Sequence, residues 1–209
     1  MLELLSGVKH HTIGTIKING KLANINSPIE AIHEGIGLIP EDRKKEGLIE
    51  HNSVLFNTTL MCDSKYISHG IINSPKRLKI ASDYQKTLDI KVPNLHFEVV
   101  NLSGGNQQKV AVAKTLASDP DILLFDEPTK GIDVLAKTEI YTIMNDLAKR
   151  GKGIIMVSSD MEEVLGLSDR ILVLSEGHLQ GELLKNEFSQ EHVLALASGL
   201  KKEDIYGNK

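Results

Sequence analysis

The sequence predicts an α/β protein with a parallel core sheet, a small helical lobe and an antiparallel hairpin portion. Two apolar runs of strand length, "DILLFDEP" at 121–128 and "GIIMVSSD" at 153–160, carry the first part of this prediction. The long amphipathic segment at 134–151 separates them. A strand, a helix and a second strand in that order favour parallel strands joined by a right-handed crossover.

The N-terminal part is predicted to mix short elements. "MLELLSG" reads as the last turns of a helix that ends at Gly7. "TIGTIKINGKLANI", at 12–25, alternates apolar and polar residues between glycine turns, which predicts a hairpin. "SPIEAIHEG" follows as a helix, with Ser27 as the N-cap and Pro28 as the first helical residue.

A strand and a helical lobe are expected next. "IGLIPEDRKKEGLI", at 36–49, predicts a strand that runs into a charged loop. From 52 to 101 the apolar spacing is helical but patchy, and its clearest helix is "PKRLKIASDYQKTLDI" at 75–90. Together with the start of the next helix, "NQQKVAVAKTLAS" at 106–118, this predicts a helical lobe over about 52–115.

The C-terminal part adds a helix, a hairpin and a last helix. "MEEVLGL" at 161–167 predicts a short helix, and "RILVLSEGHLQGELL" at 170–184 predicts a hairpin. "SQEHVLALASG" at 189–199 predicts a surface helix, after which 200–209 is expected to be a tail.

Composition excludes several classes of protein. The chain has 209 residues, of which 41% are hydrophobic and 25% charged, as is ordinary for a globular domain. A net charge of −4 gives no sign of a general nucleic-acid binder. The single cysteine, Cys62, cannot form an intramolecular disulfide, and no apolar run reaches the roughly 18 residues of a membrane helix.

The segment "NLSGGNQQKV", at 101–110, is typical of a helix start that touches phosphate. Ser103 is a good N-cap, and Gly104 and Gly105 leave the backbone amides accessible. Three further side chains are expected to supply donors along the first turns: Gln107, Gln108 and Lys109.

Two acids follow the predicted buried strand in "ILLFDEPT". Asp126 and Glu127 stand where that strand leaves the sheet, which is the usual ligand-binding edge of such folds. A first acid there suits a metal-bound water, and a second suits the attacking water of phosphoryl transfer. An isolated "DEP" is as often a polar strand exit, and the phosphate-type helix start one element upstream favours the functional interpretation.

The sequence lacks a phosphate loop of the G-x-x-x-x-G-K-[ST] type. In "GTIKINGKL" one residue too many separates Gly14 from Gly20, and Leu22 stands where the metal-binding hydroxyl belongs. Because such a loop joins the first core strand to a helix, and the first helix here ends at Gly7, we expect the loop to precede Met1.

These motifs together resemble a known family. "LSGGNQQKV" followed by "ILLFDEPTKGIDV" resembles the signature motif and the Walker B motif of ABC-transporter ATPases. "GLIPEDRKKEGL" and "DEPTKGIDVLAKTEIY" resemble the second ATPase half of the double-length ATPases that energise bacterial monosaccharide importers of the ribose, galactose and arabinose type. The resemblance covers 1–199 and implies a partial, P-loop NTPase-like ABC ATPase domain.

The resemblance implies roles for the signature segment, which we define as residues 102–110. Ser103, Gly104 and Gly105 would contact the γ-phosphate of an ATP held by the opposite ATPase half. Gln107 would join them in this nucleotide-binding set.

Further roles follow for the acids. Asp126 would be the Walker B acid that holds Mg²⁺ through water, and Glu127 the general base. Asp133, in "KGID", would be the acid of the D-loop.

The sequence departs from the family pattern at two positions. The glutamine that usually ends the strand near residue 39 is absent, and Glu41 in "PEDR" stands closest to its place. The switch histidine after the second core strand is replaced by Ser159. Without an imidazole there, stabilisation of the γ-phosphate in this half's own site is expected to be weak.

The resemblance also implies ATP and Mg²⁺ as ligands, and as partners a second ATPase half or subunit, membrane-embedded permease subunits and indirectly a sugar-binding protein, with no nucleic acid. It implies a peripheral location on the cytoplasmic face of the bacterial membrane. The chain alone is expected to bind ATP poorly.

Three alternatives stay open at this stage. The chain alone would act as a non-catalytic interaction module. A DNA-repair-type ABC ATPase head shares the signature, although no sustained heptad run accompanies it here. "EDRKKE" is either a solvated charged loop or, as we favour, a contact with the permease.

Overall fold

The computed structural model describes residues 1–10 and 13–200, and these form two compact units that divide between Met156 and Val157. Thr12, in the predicted hairpin, and residues 201–209 of the predicted tail lie outside the described residues.

A three-stranded sheet forms the centre of the first unit. β3 (Ile36–Ile39) pairs in parallel with β6 (Ile122–Asp126), with Ile36 opposite Ile122 and Ile39 opposite Phe125. β7 (Gly153–Val157) lies on the other side of β6. The middle of β6 is fully buried, as the apolar run predicts. The parallel core sheet is therefore confirmed, and β6 delivers Asp126 to its carboxyl end.

The described residues up to His33 contribute short elements around this sheet. They are α1 (Leu2–Leu5), the hairpin of β1 (Ile16–Ile18) and β2 (Lys21–Ala23), and α2 (Pro28–His33). Ser27 caps α2 by accepting a hydrogen bond from the amide of Glu30, as predicted. Residues from all of these elements bury their apolar side chains with Ile36 of β3 and Leu124 of β6.

Three helices pack together in the predicted lobe region. They are α3 (Val54–Thr59), α4 (Ser74–Thr87) and α5 (Gly104–Ala117). α5 contacts both of the others and also the sheet strand β3, so it joins the helices to the sheet. A small hairpin of β4 (Ile67–Ser68) and β5 (Ile71–Ile72) also lies here. Its two-residue strands are too short to produce a readable alternation.

The helix α6 (Val134–Lys149) connects β6 to β7. Asp133 is its N-cap and accepts a hydrogen bond from the Ala136 amide. Its buried residues follow a helical period along one face: Ala136, Ile140, Met144 and Leu147. The sequence therefore specifies both the start of α6 and the face that it buries.

The charged run after β3 is not an irregular loop. Residues Arg43–Gly47 form a turn of π-helix, and the side chain of Asp42 accepts hydrogen bonds from the amides of Lys44 and Lys45 at its start. The predicted loop is wrong in this respect, because an aspartate cap lets the backbone fold into a helical turn.

The second unit has a core of its own. It contains α7 (Met161–Leu167), the antiparallel hairpin of β8 (Arg170–Ser175) and β9 (His178–Leu184), and α8 (Gln190–Ala197). Its fully or nearly buried side chains come from the hairpin and α8: Ile171, Val173, Leu183 and Leu196. The two helices and the hairpin match the sequence prediction.

Candidate nucleotide-phosphate site

The N-terminus of α5 has the predicted form. Ser103 is exposed, and its Oγ accepts hydrogen bonds from the backbone amide and from Nδ2 of Asn106, at 3.4 and 3.0 Å. Because Ser103 is the acceptor in both bonds, its own O–H remains able to donate to an anion. The helix start therefore combines free amides, partial positive charge and a hydroxyl donor.

The two glycines of the signature segment are held by packing. A Cβ atom on Gly105 would lie 2.5 Å from the Cβ of Ala136 in α6. A Cβ atom on Gly104 would lie 3.2 Å from the carbonyl oxygen of Gly131 and 3.4 Å from Cγ2 of Ile132. The start of α5 thus lies directly against the loop that follows β6. A side chain at Gly105 would clash with Ala136, and one at Gly104 would crowd the carbonyl of Gly131.

The expectation that Gln107, Gln108 and Lys109 donate to phosphate needs correction. All three are buried, at 4%, 2% and 2% exposure. Gln107 donates from Nε2 to the carbonyl of Val99, and Lys109 from Nζ to the carbonyl of Asp89. α5 packs against helices, sheet and turn at once, so side chains beyond its first turn face the interior and bind internal acceptors.

The two acids at the end of β6 are differently placed. Asp126 is the last strand residue, and its neighbour Glu127 has a φ of 46°, which is uncommon for a residue with a side chain. A residue with left-handed backbone therefore follows directly on the last residue of the strand. Such conformations are found preferentially where a site requires them.

Negative charge concentrates around Asp126. Burial and then the nearby carboxylates of Glu41 and Glu127 raise the pKa of Asp126 above its ordinary value. Glu41, which is predicted to stand closest to the place of the missing glutamine, therefore lies within electrostatic range of the strand-end acids. It also forms an ion pair with Lys130, with Nζ and Oε1 2.5 Å apart.

These carboxylates fit a hard divalent cation held through water. Oxygen donors suit Mg²⁺, and a cation here would offset the repulsion that raises the pKa of Asp126. Within residues 1–10 and 13–200, no three acidic, histidine or cysteine side chains come together closely enough to hold a metal ion. Waters and phosphate oxygens would therefore supply most ligands of a bound Mg²⁺.

The loop after β6 connects both parts of the site. Asp133 is exposed on this loop, and its side chain caps α6 through Ala136. The structure therefore brings the signature glycines beside residues 131–132 and the acids Asp126 and Glu127 beside Glu41 and Lys130. The predicted catalytic and binding roles of these residues stay predictions.

Two residues of the site were missed by the sequence analysis. Arg43 donates to the carbonyls of Lys130 and Gly131 and to Gln107, and Lys130 pairs with Glu41. One signal was available for Arg43, which is the sole arginine in "EDRKKE". Its planar fork suits several fixed acceptors, whereas lysine acts as a point charge.

Ser159 belongs to the second unit. It is exposed and precedes Asp160, which caps α7 by accepting hydrogen bonds from the amides of Glu162 and Glu163. Its neighbour Ser158 donates to the Glu163 carboxylate. Its assignment as the switch position stays a prediction.

A family model described as "ABC transporter" matches residues 1–130, well over half of the sequence. The chain belongs to the ABC transporter family. The resemblance read from the signature segment and from the strand-end acids is therefore confirmed at the level of the family.

Curated relatives of this ABC transporter chain include sugar import ATP-binding proteins. The chain is 53% identical over 199 residues to the ribose import ATP-binding protein RbsA of Clostridium tetani, with 94% of this chain and 39% of that protein covered. It is 46% identical over 188 residues to the xylose import ATP-binding protein XylG of Geobacillus kaustophilus, with 90% and 37% covered. The chain spans about 40% of the length of the curated relatives it matches.

Solved ABC cassettes share the fold. The dimeric structure of an ATP-binding cassette in a post-hydrolysis state with ADP and phosphate has a TM-score of 0.73 at 25% identity, covering 90% of this chain and 80% of that one. A nucleotide-free cassette from an ABC transporter has a TM-score of 0.77 at 18% identity, covering 100% and 82%. The predicted ABC-type α/β fold class is confirmed.

Among the helices of the described residues, none combines the length and the apolar character that a membrane span requires.

Proposed function

We propose that this chain supplies the signature and Walker B face of an ATPase that energises a bacterial monosaccharide importer. Over residues 1–199 it would be a partial ABC ATPase domain, with the helical lobe at about 52–115. Its partners would be a second ATPase half, membrane-embedded permease subunits and, indirectly, a sugar-binding protein. The assembly would lie peripherally at the cytoplasmic face of the membrane.

The observation that carries this proposal is the contact between the start of α5 and the loop after β6. Gly104 packs against Gly131 and Ile132, so that the exposed Ser103 and Asp133 belong to two adjoining segments. A γ-phosphate presented from outside would meet the Ser103 hydroxyl and the helix amides. The ribose and xylose import functions in the names of the relatives support the sugar class.

In this proposal the strand-end acids act on the nucleotide of their own half. Asp126 would hold Mg²⁺ through water, and the ion would neutralise charge that develops on the phosphates. Glu127 would orient a water and accept its proton while the water oxygen attacks the γ-phosphorus. The bond from the γ-phosphorus to the bridging oxygen breaks, and ADP leaves with that electron pair.

The chain alone is proposed to be inactive. Its sequence has no G-x-x-x-x-G-K-[ST] loop to surround the β- and γ-phosphates, and Ser159 replaces the switch histidine. Calorimetric titration with MgATP is expected to give a dissociation constant of about 1 mM or weaker, corresponding to about −4 kcal/mol. Micromolar binding with turnover by the pure chain would contradict this.

The decisive experiment adds the chain to an ATPase half that carries its own phosphate loop, and phosphate release is measured. We expect stimulation by the wild-type chain and none by Ser103→Arg, because the arginine fills the phosphate position. Ser189→Arg is the matched control, since Ser189 caps α8 in the same way through the His192 amide. Equal stimulation by Ser103→Arg and Ser189→Arg would refute the proposed contact.

A further inference from the structure

Arg43 connects two segments that are far apart in the sequence. Its Nη1 and Nη2 donate to the carbonyl oxygens of Lys130 and Gly131, at 3.0 and 3.3 Å. Its Nε donates to Oε1 of Gln107 in α5, at 3.4 Å. One guanidinium thus binds the loop after β6 and the signature helix together.

The position of Arg43 is itself fixed. It begins the π-helical turn that Asp42 caps through the amides of Lys44 and Lys45. Arg43 is half-buried, and this burial lowers the pKa of its guanidinium. Because the ordinary pKa of arginine is so high, the guanidinium nevertheless stays charged. A charged, planar fork held at one end can orient two successive carbonyls in a way that a flexible ammonium cannot.

The groups that accept hydrogen bonds from Arg43 are themselves held in place by other contacts. Gln107 is buried and also donates to Val99, so its side chain is anchored on both sides. A Cβ atom on Gly104 would lie 2.9 Å from Nη2 of Arg43 and 3.2 Å from the Gly131 carbonyl. The guanidinium therefore lies beside the direct contact between the first turn of α5 and the loop.

We propose that Arg43 is a positioning residue that fixes the loop of residues 130–133 against the N-terminus of α5. This inference rests on the proposed function. Ser103 and Asp133 must approach the same partner half together, so the spacing between their two segments determines whether this face closes on a nucleotide. Arg43 holds that spacing without touching the nucleotide.

The kinetic test uses the assembly described above with Arg43→Gln, Arg43→Lys and the control Lys45→Gln. Lys45 lies in the same turn, is 83% exposed at its side chain and pairs with Asp42. At concentrations of the chain that saturate the second ATPase half, we expect Arg43→Gln to lower turnover about tenfold or more. The KM for ATP is expected to change less than about twofold. Arg43→Lys restores charge but not the fork, and is expected to rescue little of the turnover.

Measuring turnover at saturating concentrations of the chain distinguishes a misplaced loop from a smaller fraction of folded chain. A variant that folds poorly lowers the fraction of competent chain, so more chain restores turnover. A misplaced loop lowers turnover that more chain cannot restore. Full turnover by Arg43→Gln at saturation, or an equal defect in Lys45→Gln, would overturn the inference.

A second measurement remains decisive even if the chain stimulates no partner and the proposed function fails. Because the two residues lie so close, nuclear Overhauser contacts between the Gly104 Hα atoms and the Cγ2 methyl of Ile132 are expected in the wild-type chain and in Lys45→Gln. We expect Arg43→Gln to lose them while contacts within β8 and β9 persist. Retention of the Gly104–Ile132 contacts in Arg43→Gln would overturn the positioning role by itself.

Discussion

Gly105 and Ala136 lie so close together that a Cβ atom on Gly105 would be 2.5 Å from the Cβ of Ala136. Gly105 is buried near the start of α5, and Ala136 is in the first turn of α6. The second glycine of the signature segment is therefore required by the packing of two helices. Access of a phosphate to the backbone is a separate reason for glycine at the same place.

We expect Gly105→Ala to destabilise the chain by about 1–2 kcal/mol. Overpacking costs about 1–3 kcal/mol, and the better helix propensity of alanine returns up to about 1 kcal/mol. The free energy of unfolding from urea titrations measures the net effect.

The double variant Gly105→Ala with Ala136→Gly provides the control for this packing. Moving the methyl group from one helix to the other is expected to recover most of the unfolding free energy that Gly105→Ala loses. The double-mutant cycle then gives a coupling energy between the two positions. If the two substitutions simply add, the contact between Gly105 and Ala136 does not limit stability.

Local signals account for the parts of the fold that the sequence predicted. Ser27, Ser103 and Asp133 each bind an amide within three residues, so each helix start depends on neighbouring residues alone. The apolar run of β6 predicts a buried strand because burial on both faces leaves no alternation.

The contacts of Arg43 and Gln107 could not be predicted in the same way. Arg43 binds carbonyls 87 and 88 residues further along the chain, and no local pattern encodes that distance. Gln107 looks like a surface donor by residue type, but α5 is surrounded by other elements and buries it. Polarity predicts exposure only where one face of a helix meets water.

Tyr84 is expected to make stability fall at high pH. Its hydroxyl donates to the carbonyl of Leu116 at 2.7 Å, and burial, then the charges of Asp119 and Cys62, raise the pKa of Tyr84 to about 12. The unfolded chain has the ordinary value of 10.0, so this contribution is complete below pH 10 and is lost as the pH rises towards 12.

The variant Tyr84→Phe isolates this effect. Losing the hydrogen bond is expected to cost about 1 kcal/mol at neutral pH. Above pH 10 the stability of the wild type is expected to fall more steeply than that of the variant, because only the wild type carries this hydroxyl. Parallel curves of unfolding free energy against pH would contradict the assignment.

Lys114 is expected to give the opposite slope. Its Nζ lies in the interior and donates to the carbonyl of Gly47, and burial lowers the pKa of Lys114 below 10.5. Between the folded and the unfolded pKa, the unfolded chain binds more protons, so stability rises with pH in that window. The difference in unfolding free energy between the wild type and Lys114→Met is therefore expected to grow in favour of the wild type towards pH 10. A difference that is independent of pH would contradict the lowered pKa of Lys114 in the folded chain.

Two substitutions of Ser103 distinguish its capping role from phosphate contact. Ser103→Ala loses the cap and is expected to lower stability by about 1 kcal/mol. Ser103→Asp keeps a cap acceptor beside the positive end of α5, so its stability is expected to stay within about 0.5 kcal/mol of the wild type. Its carboxylate would nevertheless occupy the position of the anion and lack the O–H donor. In the assembly with a second ATPase half, we therefore expect turnover to fall about 100-fold in the stable Ser103→Asp variant and much less in the destabilised Ser103→Ala variant. If turnover followed stability instead, Ser103 would serve α5 only as its N-cap.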